Sequence, residues 1–188
     1  MRNLMPLTYL ATTLIVVHAL CNSYTALMIA PHMGWSAITL GLAALGALLL
    51  LFVTMVVFAI WMHRAGKNLV AAGCEGLEFT PAARIWWFAV PLANLIMPYR
   101  GMRELWNASR GEPFYGKDHP ILVLWWAAWL AAWLLSVLSR FGAIDDRTLA
   151  VTGSALTLVQ APLAIVLLFQ ISGAQRQIGG SPLTDVFA

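Results

Sequence analysis

From Met1 to His63 the chain carries one formally charged side chain, Arg2. Soluble domains put roughly a quarter of their residues into Asp, Glu, Lys and Arg. A stretch this long without them belongs in lipid or at the centre of a large globule, and 188 residues do not make a globule that large. The whole chain follows suit: 61% of it is hydrophobic, 10% is charged, and the mean hydropathy is +0.78. These figures exclude an ordinary soluble domain, a disordered chain and a nucleic-acid-binding module.

A helix needs about 20 mostly apolar residues to cross the hydrocarbon of a bilayer. Four segments meet that length: 7–30, 36–63, 120–139 and 148–172. The sequence therefore predicts an all-α, four-span transmembrane helix bundle forming a single integral membrane domain over 1–188. Pro31-His32-Met33-Gly34 reads as a tight turn between the first two spans, and Phe141-Gly142-Ala143 starts the turn between the last two.

Lys and Arg in short loops set orientation. Arg64, Lys67, Arg84, Arg100, Arg103, Arg110 and Lys117 lie between the second and third spans, with Arg2 before the first and Arg176 after the fourth. Only Arg140 and Arg147 lie on the other side, next to Asp145 and Asp146. Both termini and the long central segment, 64–118, are thus expected on the cytoplasmic face of a bacterial inner membrane.

That central segment is more than a loop. Residues 85–97 are apolar but for Asn94, interrupted by Pro91 and bracketed by Arg84 and Arg100. The run is too short to span, so it is expected to be re-entrant or to lie in the interface, where Trp86 and Trp87 are at home. Asn94 is a candidate to satisfy the carbonyls freed by the proline. An amphipathic helix follows over Tyr99–Ser109. Met102, Leu105, Trp106 and Ser109 fall on one face, and Arg100, Arg103, Asn107 and Arg110 on the other. Two placements fit it: in the plane of an anionic leaflet, or packed beneath the bundle. Gly111 and Pro113 mark its end.

The same segment carries a compound pattern. Trp61-Met62-His63-Arg64-Ala65-Gly66-Lys67-Asn68 fits W-x-x-R-x-x-x-N, the Pro91-to-Pro98 stretch with Asn94 fits P-x-x-N-x-x-x-P, and Arg103-Glu104-Leu105-Trp106 fits R-E-x-W. Together with the tryptophan-rich third span, Trp125-Trp126-Ala127-Ala128-Trp129, this resembles the bacterial membrane-protein family known as domain of unknown function 4328. The resemblance covers about Phe52 to Trp133. It implies a bacterial membrane protein and no reaction.

Within the pattern, Arg64 and Asn68 are i and i+4, with Trp61 one turn earlier on the same face. Arg64 and Asn68 are expected to pin the Pro91–Pro98 hairpin beneath the bundle, the guanidinium through its carbonyls; the alternative is that the guanidinium clamps a lipid phosphate. Inside the membrane, His18, Cys21, Asn22 and Thr25 share one face of the first span, and Gln160 lies in the fourth beside Pro162. Intramembrane polar residues are functional candidates as well as interhelical glue. Gly153, Thr157 and Ala161 form a small-residue stripe on the fourth span, and Ala127/Ala131 and Ala128/Ala132 do so on the third. Trp125, Trp129 and Trp133 recur every four residues, which fits packing against small side chains.

The histidines, His18, His32, His63 and His119, are too scattered for a metal or haem site, and no cofactor is expected. Cys21 and Cys74 sit in unlike contexts, so no disulfide is expected. Asn107-Ala108-Ser109 matches a glycosylation sequon on the expected cytoplasmic side, where it would be incidental. No nucleophile elbow, phosphate loop or H-E-x-x-H occurs. Glu104 is the best single carboxylate, and it stands alone. Three functions remain open. The first is a non-enzymatic scaffold or interaction subunit that engages anionic inner-leaflet lipid, a protein partner or a second copy through its cytoplasmic cap. The second is a small transporter or channel component, and the third a lipid-modifying enzyme.

Overall fold

The computed structural model describes residues 2–29 and 37–180. Among them the chain is helical, with no strand. The order is α1 (Met5–Ile29), α2 (Ala37–Ala71), α3 (Ala83–Trp86), a 3₁₀ turn (Ala93–Leu95), α4 (Met97–Ala108), α5 (Pro120–Arg140) and α6 (Asp146–Gly180). Four of these, α1, α2, α5 and α6, are long and apolar enough to cross a membrane, as the four-span reading expects. The Pro31–Gly34 turn lies outside the described residues.

Hydropathy located the spans but cut two of them short. α2 does not stop at His63; it runs on through Arg64, Lys67 and Asn68. Its end is set by backbone chemistry. Gly73 takes φ +73°, Cys74 N–H donates to the Leu69 carbonyl at 3.1 Å, and Gly73 N–H donates to that of Val70 at 3.1 Å, closing the helix in a Schellman motif. Gly111 ends α4 in the same way, with Glu112 N–H on the Asn107 carbonyl at 3.1 Å. α6 likewise outruns its apolar stretch at both ends. It starts at Asp146, where the Asp145 carboxylate accepts from Thr148 N–H at 2.9 Å, an N-cap. It continues through Pro162 to Gly180.

α6 is the central helix, packed along α1 on one side and α5 on the other, while α2 packs mainly on α1. Small residues allow the close α1–α6 approach: Ala11 and Ala19 on α1, and Ala161 and Ala164 on α6, are buried. The core gathers at one end of the bundle, where α3, α4 and the connecting loops close over the span ends. Trp61, Leu69, Met102, Leu105, Leu122, Trp125, Trp126, Leu168 and Ile171 are buried there. At the other end Leu42, Leu45, Leu48 and Leu49 of α2 are exposed, at no cost if the solvent is lipid.

Residues 85–97 form a broken path. Ala83–Trp86 gives one helical turn, Leu92 takes φ +65°, and the 3₁₀ turn leads straight into α4. Trp86, Val90, Leu92 and Ile96 point their apolar side chains away from the protein. The freed carbonyl of Leu95 is satisfied by the Trp126 indole at 2.9 Å. That corrects the expectation for Asn94, whose side-chain amide donates no hydrogen bond among the described residues and whose Oδ1 is buried without a partner. A second correction concerns α4. Asn107 is not on a solvated basic face. It is buried, and its amide donates to the Tyr115 and Lys117 carbonyls at 2.9 and 2.8 Å. Met102, Leu105, Trp106 and Ser109 are buried against the bundle, so that face of α4 is packed rather than laid on a leaflet.

Candidate functional site

At the closed end, hereafter the cap end, polar side chains from α1, α2, α6 and the residue that ends α4 form two buried clusters. The Trp61 indole of α2 donates to Thr8 Oγ1 of α1 at 3.0 Å and to Ser172 Oγ of α6 at 3.1 Å, and the two hydroxyls are 2.7 Å apart. Two turns along α2, Asn68 accepts from the backbone N–H of Arg2 at 2.8 Å. Its amide donates to the Arg2 carbonyl at 2.9 Å and to Gln175 Oε1 at 3.0 Å. Gln175 in turn donates to the Ala65 carbonyl at 3.1 Å and to Ser109 Oγ at 2.9 Å. An asparagine has just the mixed donors and acceptor to hold a backbone N–H and C=O at once. The chain start, α2, α4 and α6 are therefore tied at one junction.

Beside this junction lies a buried ion pair. Arg84 is 1% exposed and Glu104 4%. The guanidinium Nη2 contacts Glu104 Oε1, and the backbone amides of Glu78 and Phe79 also donate to that carboxylate. Burial pushes the Arg84 guanidinium below its ordinary value, and the Glu104 charge opposes that shift. Gly66 and Gly101 make room. A Cβ on Gly66 would stand 2.6 Å from Arg84 Nη1 and 3.2 Å from the Pro81 Cα, whereas one on Gly101 would meet Arg84 Cγ at 3.4 Å.

The rest of the cap is laced by surface pairs. Arg103 binds Asp118 at 2.7 Å, Arg100 binds Glu78 at 2.5 Å and Lys117 reaches Glu112 at 3.5 Å. Tyr99 donates to Asp118 at 2.7 Å, and burial together with that bond pushes the phenol up to about 12. Hydrogen bonds from Arg103 and Tyr99 hold the Asp118 carboxyl below its usual value. Trp106 lies between Arg110, whose guanidinium sits 3.4 Å from the indole centroid, and the His119 ring at 4.9 Å.

The other flank is different. Arg2, Lys67 and Arg176 are exposed and Arg64 is half-buried. None of the four side chains makes a hydrogen bond or ion pair among the described residues. All lie within about one helical turn of the Asn68 junction.

The structure thus brings Trp61, Asn68 and Glu104 into the buried framework and puts Arg103 and Trp106 at its edge. It does not bring Arg64 or Asn68 to the Pro91–Pro98 segment. Asn68 is committed to Arg2 and Gln175 instead. Pro98 is buried in the first turn of α4, where a missing N–H is harmless, and Pro91 is exposed at the break. In the outer half of the bundle His18 and Asn22 line a cavity, and Gln160 is half-buried with no hydrogen bond among the described residues. Cys21 and Cys74 are free. Of the every-fourth tryptophans, Trp125 is buried and Trp133 exposed; the one that bonds to the cap is Trp126. Sequence reasoning missed Arg84, Gly66, Thr8, Ser172 and Gln175. Ser172 and Gln175, three apart at the end of an apolar run, were the available signal.

Fold and site define a class: an all-helical protein with four apolar helices suited to a membrane, capped at one end by a polar-knotted helical segment. Within that class, the family model described as Domain of unknown function (DUF4328) matches residues 24–176, and the chain belongs to that family. No curated protein and no solved structure matches the chain significantly.

Proposed function

We propose that this is a bacterial inner-membrane protein, both termini and cap cytoplasmic, that acts as a non-enzymatic interaction subunit by holding anionic lipid at its cap end. The observation that carries this is the uneven pairing of charge. On the α3–α4 flank, Arg84, Arg100, Arg103 and Lys117 each have a carboxylate, and Arg110 is held instead by Gln170 and the Trp106 ring. On the α1–α2–α6 flank, Arg2, Arg64, Lys67 and Arg176 have none among the described residues. Cations left unpaired at a membrane surface attract anionic headgroups by about 1 kcal/mol each. The outward apolar side chains of Trp86, Leu92 and Ile96 suit the interfacial zone beside them. The enzyme reading loses support, because Glu104, its one candidate, is occupied by Arg84 and two backbone amides. A transporter reading draws on the outer cavity, but the Trp61–Thr8–Ser172 network stands between that cavity and the cap, which counts against a continuous polar path.

The test is native mass spectrometry of the full chain with phosphatidylglycerol and with phosphatidylcholine. Phosphatidylglycerol adducts should persist at collision energies that strip phosphatidylcholine. The Arg64→Gln/Lys67→Gln/Arg176→Gln variant should lose that preference while its thermal midpoint stays unchanged. Equal retention of both lipids by the wild-type chain would refute the proposal.

A further inference from the structure

Phe58 of α2 and Trp125 of α5 meet at the cap end, with ring centroids 6.5 Å apart. Further out, α2 and α5 are opposite walls of a cavity of about 480 Å³. Ala44, Ala47 and Leu48 line it from α2, and Ala132 and Ser136 from α5. That volume falls in the range of small-molecule sites, roughly 300–1,000 Å³. α1 and α6 supply its polar groups. His18 and Asn22, one turn apart on α1, face it, and so does Ser154 on α6.

None of these three side chains makes a hydrogen bond among the described residues. Ser154 is only 9% exposed and its hydroxyl is buried without a partner. A hydroxyl left unsatisfied in an apolar surrounding is costly, by about 1–3 kcal/mol. It could have been relieved locally: Thr157 on the same helix bonds back to the Gly153 carbonyl at 2.9 Å, and Ser136 to that of Ala132 at 3.0 Å. Ser154 does not. Among the described residues no carboxylate, lysine or arginine lines the cavity, so an ionised guest would go uncompensated there.

We infer that this cavity is a binding site for a neutral, lipid-soluble molecule with a hydroxyl or carbonyl head, its head hydrogen-bonded by Ser154, His18 and Asn22 and its apolar body against Ala44, Ala47 and Leu48. The site lies at the end of the bundle away from the cationic flank and does not depend on it.

The experiment uses the full chain in nanodiscs with a diazirine-bearing monoacylglycerol as probe. Irradiation is followed by peptide mass spectrometry, with and without a tenfold excess of plain monoacylglycerol. The expected result is labelling of peptides containing His18 or Ser154 that the competitor suppresses severalfold. Gly153→Leu, whose new side chain enters open space because a Cβ there meets nothing within 4 Å, should fill the cavity and abolish that labelling. Its thermal midpoint should match the wild type, and a matching midpoint shows that loss of label is not loss of fold. Ser154→Ala should weaken competition without closing the cavity. Two results would overturn the inference. One is labelling confined to lipid-facing residues such as Leu42 and Leu45, indifferent to competitor and to Gly153→Leu, which is bulk lipid only. The other is no labelling of the cavity at all, which leaves it to water.

Discussion

The two ends of this bundle solve the same packing problem in opposite ways. At the cap end, polar side chains are brought inside and tied to one another: Trp61 to Thr8 and Ser172, Asn68 to Arg2 and Gln175, Arg84 to Glu104. At the outer end the helices stay apolar, Leu42 and Leu45 of α2 are exposed, and polar side chains such as Ser154 are left around a cavity. Apolar packing has little preference between neighbouring helix and lipid tail, so it cannot by itself fix how helices meet. Directional hydrogen bonds can. The cap end therefore specifies the arrangement, and the outer end is free to hold a guest.

The sharpest way to break this contrast is at the buried ion pair. Glu104→Ala leaves Arg84 charged and uncompensated, and should cost about 3–5 kcal/mol, seen as a collapse of the denaturation midpoint in mixed micelles. The double variant Arg84→Met/Glu104→Leu should recover most of that loss, because an apolar pair of similar volume leaves no orphan charge. Next comes Gly66→Ala. Its Cβ would press on Arg84 Nη1 and on the Pro81 backbone, for about 1–3 kcal/mol of overpacking. Gly101→Ala, whose Cβ would meet Arg84 Cγ at 3.4 Å and Cβ at 3.9 Å, should be milder on the same assay. Trp61→Phe keeps a ring in the core but removes the indole donor from the Thr8 and Ser172 hydroxyls, which keep their bond to each other, and about 1 kcal/mol is expected.

Much of this was legible in the residues, and the rest was hidden for identifiable reasons. Four apolar stretches gave four helices, because length and hydropathy are what a bilayer reads. The ends of α2 and α6 were not legible in the same way. Hydropathy falls at His63, yet Arg, Ala and Lys are good helix formers, and the helix runs until Gly73 turns it. Trp61, Asn68 and Glu104 stood out by spacing. Their partners did not, because Thr8, Gln175 and Arg84 are distant in sequence and only the tertiary fold joins them. The expectation that Asn68 holds the proline segment failed for this reason: the helix face was right, but the neighbour on that face was α6 and the chain start.

Smaller effects sharpen the contrast from the other side. Leu45→Ala at the outer end removes an exposed side chain and should move the midpoint by no more than about 0.5 kcal/mol. A drop comparable to Trp61→Phe would mean that α2 is packed there after all. Smallest is the Asp118 cluster on the cap surface. Hydrogen bonds from Arg103 and Tyr99 lower its folded pKa. Its contribution is therefore present above the ordinary carboxylate value and fades as pH falls through the folded one. Asp118→Asn should flatten the acid limb of a midpoint-versus-pH curve slightly and leave neutral pH nearly unchanged, since the pair is exposed and screened.

Everything proposed for the cap end requires it to face the anionic cytoplasmic leaflet. Side-specific labelling tests that directly, in intact bacterial cells carrying the chain with Cys21→Ser and Cys74→Ser. Lys117, exposed at the cap, and Arg147, exposed at the opposite end, are each replaced in turn by cysteine and challenged with a membrane-impermeant maleimide. Arg147→Cys should react from outside, and Lys117→Cys only after the cells are permeabilised. Labelling of Lys117→Cys in intact cells, with Arg147→Cys protected, would place the unpaired cations on the wrong side of the membrane and contradict the assignment.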